Sequence, residues 1–311
     1  MQSQDSSRGG AADPAVDSVE GRVVAAYGQR LLVEDEDGRR HPAFVARRGL
    51  RLVCGDRVRW HAGSEEERAV VERLPRHSEL RRPDSRGRSE VLAANISQLV
   101  VVCAPRPIPD PFIVDRYLAA AEVMDATAAI VANKTDLGED LPAGLLEEYA
   151  ELGYPVVRAS AATGAGLDAL AKLLEAHCSM LVGQSGVGQA SLLNALVPGI
   201  DAATAQVSRA TGEGRHRTTA TTLYRLACGG ELLDSPGVRD FAPALNDPRL
   251  AAAGFREIVA VAQDCRFANC RHMREPGCAV KAAVEEGRIS ARRYESYRRL
   301  LRLTEDLQRR G

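Results

Sequence analysis

Lysine is almost missing from this chain: Lys134, Lys172 and Lys281 are the only three among 311 residues. Positive charge rests on arginine, which points to a genome-wide codon bias, so arginine abundance by itself carries little functional weight. Net charge is only -1, which excludes a uniformly basic nucleic-acid coat. No stretch approaches the ~18 apolar residues of a membrane-spanning helix, so no membrane is expected among the partners. The N-terminus has neither the basic start nor the apolar core of a signal peptide, and residues 1–20 read as a disordered tail. Cysteine is sparse and odd in number, seven in all, with three beside a histidine near the C-terminus. That argues against a disulfide framework and for a metal site in a reducing, cytoplasmic setting.

What is present is uneven. A hydrophobic share of 45% over this length allows two or three packed domains. Between Arg39 and Arg88, 14 arginines face 7 acidic residues, a balance of +7; from Arg288 onward 8 face 3, or +5. Both ends can therefore meet a phosphate backbone, or the runs can be plain solvated surface.

Residues 21–80 read as all-β. Arg22-Val23-Val24, Leu31-Leu32-Val33 and the alternating Arg57-Val58-Arg59-Trp60 are β-prone, and Asp35-Glu36-Asp37-Gly38 and Gly55-Asp56 mark turns. Short strands at this spacing suit a small barrel, oligonucleotide-binding (OB-like) or SH3-like. Trp60 fits a base-stacking platform or the barrel core, the commoner role for a lone tryptophan. Arg81 to Arg88 has linker composition. Residues 90–245 then read as α/β. Leu99-Val100-Val101-Val102-Cys103 is the continuous apolar run of a strand buried on both faces. Helical spacing over Tyr117–Met124, Leu145–Leu152 and Leu167–Leu174 alternates with strands at Ala128–Ala132, Val156-Val157 and Cys178–Val182, which implies a mostly parallel sheet with ligands at its strand ends. Residues 250–311 read as helical, closing on an amphipathic helix over Ser290–Leu307.

Four nucleotide motifs fall at such strand ends, in an unusual order. Asn133-Lys134-Thr135-Asp136 reads as a guanine-recognition motif, because a carboxylate such as Asp136 accepts from the adjacent N1–H and amine of guanine, which adenine lacks. Ser160-Ala161, followed by Thr163-Gly164, reads as the loop behind the base. Only then come the phosphate-loop-like Gly183-Gln184-Ser185-Gly186-Val187-Gly188 and Asp234-Ser235-Pro236-Gly237. The glycine loop leads from a strand into a helix at Ala190–Leu196, where backbone N–H groups and the helix N-terminus form an anion site. Asp234 would hold Mg²⁺ through water, and the Gly237 N–H would meet a γ-phosphate. An ordinary GTPase places its phosphate loop first. Here the motifs are circularly permuted, which domains tolerate because their termini lie close together at the surface.

With these motifs and their flanks, the chain resembles the ribosome small-subunit-dependent GTPase A (RsgA) family over nearly its whole length. The resemblance implies an N-terminal OB-like barrel, a permuted P-loop GTPase domain and a C-terminal helical zinc-binding domain. It also implies that Asn133 holds its loop and contacts the base, and that the Lys134 stem stacks on it. The Gly-rich segment from Thr211 to Thr219 resembles the family's first switch. His216 there matches the histidine associated with hydrolysis, Thr218 or Thr219 would complete a Mg²⁺ shell, and Arg217 replaces a threonine. One departure is larger. Gln189 and Ala190 stand where a phosphate loop has Lys and Ser or Thr, the charge on the phosphates and the Mg²⁺ ligand. Ser191, the next hydroxyl, is rotated ~100° around the helix.

The spacing Cys265-x4-Cys270-x-His272-x5-Cys278 is the most specific chemical signal. Three thiolates and an imidazole make a closed tetrahedral set, the mark of structural Zn²⁺, one ion per chain. Arg266, Arg271 and Arg274 interleave with these ligands, and Arg292, Arg293, Arg298, Arg299 and Arg302 on the closing helix could extend a basic face toward RNA. Tyr294 and Tyr297 pack or stack. The remaining cysteines, Cys54, Cys103, Cys178 and Cys228, read as core.

The expected protein is a cytoplasmic, monomeric ribosome-assembly GTPase acting in late maturation of the small subunit. Its partners would be GTP or GDP with Mg²⁺, the small subunit and its rRNA, and the subunit would stimulate hydrolysis. Two alternatives stand beside it: a pseudo-GTPase RNA-binding assembly module that hydrolyses little because of Gln189-Ala190, and a zinc-dependent nucleic-acid-binding protein unrelated to ribosomes.

Overall fold

The computed structural model describes residues 18–64, 67–83, 89–200, 221–235, 245 and 247–310. His216, Thr218, Thr219 and Gly237 lie outside the described residues, as does the tail over 1–17.

Five strands form the first unit: β1 (Val19–Tyr27), β2 (Arg30–Glu34), β3 (Arg40–Val45), β4 (Arg57–His61) and β5 (Ala69–Arg73). They pair in the order β1-β2-β3-β5-β4, and β4 returns to β1 in register Val19↔Trp60, so the barrel closes. The single parallel contact, β3 with β5, gives the Greek-key arrangement of the OB fold over an SH3-like one. Alternate residues point inward: Val23, Leu31, Val33, Val58, Trp60 and Val70 are all buried in one cluster. Trp60 is only 1% exposed, so it belongs to the core and offers no stacking face. Gly21 makes room for it, since a Cβ there would lie 2.6 Å from the indole nitrogen. Two boundaries differ from expectation. β1 begins at Val19, inside the segment read as a tail, because Val19 and Glu20 find partners in Trp60 and Arg59. The supposed linker is bracketed by an antiparallel hairpin, β6 (Glu79–Pro83) and β7 (Ser89–Ala94).

The α/β unit carries β8 (Gln98–Cys103), α1 (Pro111–Val123), β9 (Thr127–Ala132), α2 (Leu145–Glu151), β10 (Val156–Arg158), α3 (Leu167–Leu174), β11 (Cys178–Gly183), α4 (Gln189–Leu196), β12 (Thr222–Arg225) and β13 (Glu231–Asp234). Helix α1 starts earlier than its apolar spacing suggests, because the Asp110 side chain caps the Phe112 N–H and Pro111 fits the first turn. The sheet runs β10-β9-β8-β11-β13-β12, parallel except for β12. β8 is buried on both faces, as its unbroken apolar run requires: Leu99, Val101 and Cys103 pack with α1 and α2, Val100 and Val102 with α3 and α4. β12 also pairs antiparallel with β1 at Ala25↔Thr222, so sheet and barrel share one continuous strand ladder.

The last unit is helical: α5 (Arg256–Ala262), α6 (Ala279–Glu285) and α7 (Ala291–Arg310). Phe255, Ile258, Val280, Ile289, Tyr297 and Leu300 form its core, into which Ala119 of α1 projects. A buried carboxylate welds this unit to the sheet domain. Asp115 accepts from Arg292 at 2.8 Å, from Arg293 at 2.6 Å and from the Tyr149 hydroxyl at 2.7 Å, while Glu257 takes the rest of the Arg293 guanidinium. Arg293 is fully buried. Arg292 and Arg293 are therefore structural ion pairs and do not form a face for RNA. No helix among the described residues is long and apolar enough to cross a membrane.

Candidate guanine-nucleotide site and metal cluster

A parallel sheet delivers every strand's C-terminal end to one edge, and that geometry undoes the permutation. Reading across the edge, β10 leads to Ser160, β9 to Asn133, β11 into Gly183 and β13 to Asp234. In space the order is therefore base loop, base motif, phosphate loop and switch aspartate, whatever their order in the chain.

Asn133 is the hub of that edge. Its side chain is buried, donating from Nδ2 to the Val187 carbonyl at 2.9 Å and accepting on Oδ1 from the Ala161 N–H at 3.3 Å. One residue thus clamps the phosphate loop to the base loop. Lys134 takes a left-handed backbone conformation (φ 64°) and donates from Nζ to the carbonyls of Gly186 and Arg106. The Ser160 hydroxyl donates to the Asp136 carboxylate and accepts from the Thr163 N–H, while Gly164 N–H closes the turn on the Ser160 carbonyl. Asp136 and the Ser160-Ala161 loop are brought together as the motif requires.

The phosphate loop needs its glycines. A Cβ at Gly183 would lie 2.4 Å from the Val102 carbonyl, and one at Gly188 would lie 2.4 Å from Asn133 Nδ2. Gly186 and Gly188 also hold φ of 83° and 95°, open to glycine at no steric cost. Gly188 ends the loop, Val187 is buried against the sheet, and α4 begins at Gln189. Sequence reasoning missed the β8–α1 loop as a wall of this site. The Gln184 side chain accepts from the Asp110 N–H at 2.8 Å, and Pro107 lies beside Gly186. The available signal was topological: this loop leaves the strand next to β11 at the ligand-bearing edge.

Gln189 does not reach out as a phosphate-binding lysine would. It is 7% exposed, its Nε2 has no hydrogen-bond partner, and it lines a crevice of about 10 Å³ with Leu181, Leu193, Leu232, Leu233 and Asp234. An unsatisfied buried amide costs about 1–3 kcal/mol. Ala190 is partly buried against the core on the α3 and α4 side of the sheet and Ser191 is exposed, so neither supplies a hydroxyl beside Asp234. Ser185 is exposed at the loop's turn, and the Ser235 hydroxyl accepts from the Thr221 hydroxyl at 3.0 Å.

The second site is the cysteine–histidine cluster. The ligand atoms of Cys265, Cys270, His272 and Cys278 all lie within 4.8 Å of one another. His272 Nδ1 is 3.5 Å from the thiols of Cys265 and of Cys278, and those sulfurs are 4.0 Å apart. A tetrahedral ion with metal–sulfur bonds of ~2.3 Å and a metal–nitrogen bond of ~2.0 Å requires edges of about 3.8 and 3.5 Å. The residues fit a metal ion. Burial holds the imidazole pKa down, in the neutral form a ligand needs. The loop is braced from outside. Tyr294 and Tyr297 donate to the carbonyls of His272 and Arg271, so both pack and neither is free to stack on a base. Glu275 accepts from the N–H groups of Arg271, Met273 and Arg274; burial raises its carboxyl, but these donors prevail and bring it to about 2. Arg271 is paired with Glu305. Of the other cysteines, Cys54 and Cys103 are core, whereas Cys178 and Cys228 are only partly buried.

Comparison with known proteins agrees with this geometry. The family model described as RsgA GTPase matches residues 73–243. The chain is 46% identical to the small ribosomal subunit biogenesis GTPase RsgA of Azotobacter vinelandii, covering 90% of this chain and 84% of that protein. It is 43% identical to the protein of the same name from Pseudomonas aeruginosa, over the same shares. Among solved structures, YjeQ from Thermotoga maritima superposes with a TM-score of 0.73 at 30% identity, covering 92% of this chain and 98% of that one. YloQ, a circularly permuted GTPase, gives 0.70 at 24% identity over 95% and 98%, a likeness of fold. A barrel, a permuted nucleotide edge and a metal-ready cluster thus occur together in a chain matched over nine-tenths of its sequence, and the chain belongs to the RsgA family of GTPases.

Proposed function

We propose that this protein is a cytoplasmic, monomeric GTPase that binds the small ribosomal subunit late in its maturation and uses GTP to time its release. The reading rests on one observation above others: segments scattered over a hundred residues meet on one sheet edge, where Asn133 ties the Gly183–Gly188 loop to the Ser160-Ala161 loop. The relatives named for small-subunit biogenesis supply the biological setting.

Asp136 would accept from guanine, with Lys134 and the Ser160-Ala161 loop framing the base. The N–H groups of Gln184 to Gly188 and the first turn of α4 would receive the phosphates. Asp234, with Thr218 or Thr219, would attend Mg²⁺, Gly237 would meet the γ-phosphate, and His216 would serve hydrolysis. Gln189 and Ala190 leave the phosphate charge without a lysine and the metal without its hydroxyl, so turnover is slow until the subunit completes the site. The Cys265, Cys270, His272 and Cys278 set would carry one structural Zn²⁺. The barrel and zinc module would hold rRNA through phosphates and shape.

The test is co-sedimentation with purified small and large subunits, together with single-turnover GTP hydrolysis with and without them. Selective binding to the small subunit and stimulated hydrolysis are expected. Binding without any hydrolysis would reduce the nucleotide to an assembly ligand, and equal binding to both subunits would remove the ribosomal role.

A further inference from the structure

The barrel and the sheet meet through β12, which lies between β13 on one side and β1 on the other. Its ladder with β13 runs from Thr222↔Asp234 to Arg225↔Glu231, while its pairing with β1 is the single rung Ala25↔Thr222. Ala25, Thr222 and Asp234 thus form one row across three strands. That row brings the barrel within two strand spacings, roughly 10 Å, of the aspartate proposed to attend Mg²⁺. The pairing of β13 with β11 reaches Met180↔Leu233 and ends one step before Asp234, whose cross-strand neighbour is Thr222. One residue beyond this rung on each strand, the Thr221 hydroxyl donates to that of Ser235 at 3.0 Å.

A one-rung junction has little hold of its own, and three arginines reinforce it. Glu34 of β2 is buried, and a carboxylate in that setting must be paired. It accepts from Arg225 of β12 at 2.6 Å and from Arg40 of β3 at 3.2 Å. Arg40 also donates to the Leu223 carbonyl of β12 at 3.1 Å. Arg22 of β1 pairs with Glu231 of β13 at 2.5 Å. β1 is irregular here too: a bulge between Val23 and Ala25 bends the strand, so that Val23 enters the barrel core and Val24 the sheet core. Beside the clamps lies a cavity of about 550 Å³ lined by Arg22, Glu34, Arg225 and Glu231. Charge pairs across an unfilled cleft, more than apolar packing, therefore set how the barrel lies on the hairpin.

We propose that Arg225 and Glu231 are positioning residues that couple the barrel to Asp234 through the β12–β13 hairpin. A partner that fixes the barrel then changes the setting of Asp234, and a nucleoside triphosphate that engages Asp234 changes the setting of the barrel. This assignment rests on the proposal that the protein binds GTP and the small subunit, and it names the route between them. Such coupling is reciprocal, so each ligand must change the affinity of the other by the same factor.

The experiment titrates the full-length protein with a fluorescent mant derivative of GMPPNP in Mg²⁺ buffer, with and without saturating small subunits. It is independent of hydrolysis. The uncoupled variant is Arg225→Ala/Glu231→Gln, which leaves Glu34 with Arg40 and strands no carboxylate; Arg225→Lys keeps the charge. Thermal unfolding checks that both fold. Small subunits are expected to tighten GMPPNP binding to the parent and to Arg225→Lys by at least ~5-fold, and to the double variant by less than ~2-fold. Subunit-free affinity should stay within ~3-fold of the parent in both variants, since coupling is separate from binding at either site. A double variant that keeps the parent's tightening would overturn the proposal. So would a larger loss of its subunit-free affinity, which would make the pairs a plain support of the nucleotide site. A parent that binds both ligands without mutual effect would overturn it as well. A parent that does not bind small subunits at all would instead strike the functional proposal.

Discussion

Asn133 and Val187 lie 54 residues apart, yet the amide of one donates to the carbonyl of the other at 2.9 Å in a buried setting. That bond joins the segment proposed to read the base to the loop proposed to hold the phosphates. Removing it should therefore loosen both ends at once. Asn133→Ala is expected to weaken GDP binding by about 1–3 kcal/mol, the cost of unpairing buried polar groups, as calorimetry would measure. Asp136→Asn should behave differently, lowering affinity for GDP while raising it for XDP. Parity between ADP and GDP in the parent protein would sink the base-site assignment.

Restoring what the phosphate loop lacks should act on rate. Gln189→Lys together with Ala190→Ser returns a cation and a hydroxyl to charge that shifts in the transition state. Subunit-stimulated hydrolysis is expected to rise at least ~10²-fold, the lower end of what one preorganised donor supplies. GDP affinity should move far less. His216→Ala should then remove most of the gained rate. If single-turnover measurements find the parent as fast as the double variant, another group already supplies the missing charge.

Asp115 marks a place where electrostatics hold the architecture together. Asp115→Ala strands the buried Arg293 beside Glu257 and deprives Tyr149 of its acceptor. Breaking one side of such a pair costs about 3–5 kcal/mol, so urea unfolding should show a loss of that size. A change below ~1 kcal/mol would mean the helical unit docks by apolar packing alone.

Salt dependence should distinguish free arginines from paired ones. Charge reversal of Arg47 and Arg48 is expected to flatten the plot of log K against log salt for small-subunit binding, by ~0.7–0.9 for each phosphate they no longer neutralise. GDP affinity should not change. The same reversal at Arg292 and Arg293 should reveal itself as lost stability, because those guanidiniums are committed to Asp115, Glu148 and Glu257. A slope indifferent to Arg47 and Arg48 would return them to ordinary solvated surface.

Metal removal offers a further check. Chelation should release about one zinc ion per chain and expose the segment from Cys265 to Cys278 to protease while the parallel sheet stays folded, since metal binding and local folding are coupled. A metal-free protein with an unaltered melting profile and unaltered subunit binding would contradict this.

Local pattern was enough for much of the protein. The apolar run of β8, the spacing of the cysteines and histidine, and the helices at Leu145, Leu167 and Gln189 are all written in short stretches, because burial on two faces, metal coordination and helical periodicity each act over a few residues. The guanine and phosphate motifs were legible for the same reason, and so was the departure at Gln189 and Ala190. What the sequence could not assign was decided by partners far away in the chain. Strand order places Ser160, Asn133, Gly183 and Asp234 along one edge and so makes the permutation harmless. Closure of the barrel buries Trp60 and leaves Tyr27 and Phe44 outside. Ion pairing sorts the arginines: Arg293 finds Asp115 across 178 residues, while Arg47 and Arg48 find no such partner among the described residues. Composition counts charges, but only the tertiary structure determines which are already neutralised, because a buried carboxylate must be paired and an exposed guanidinium need not be.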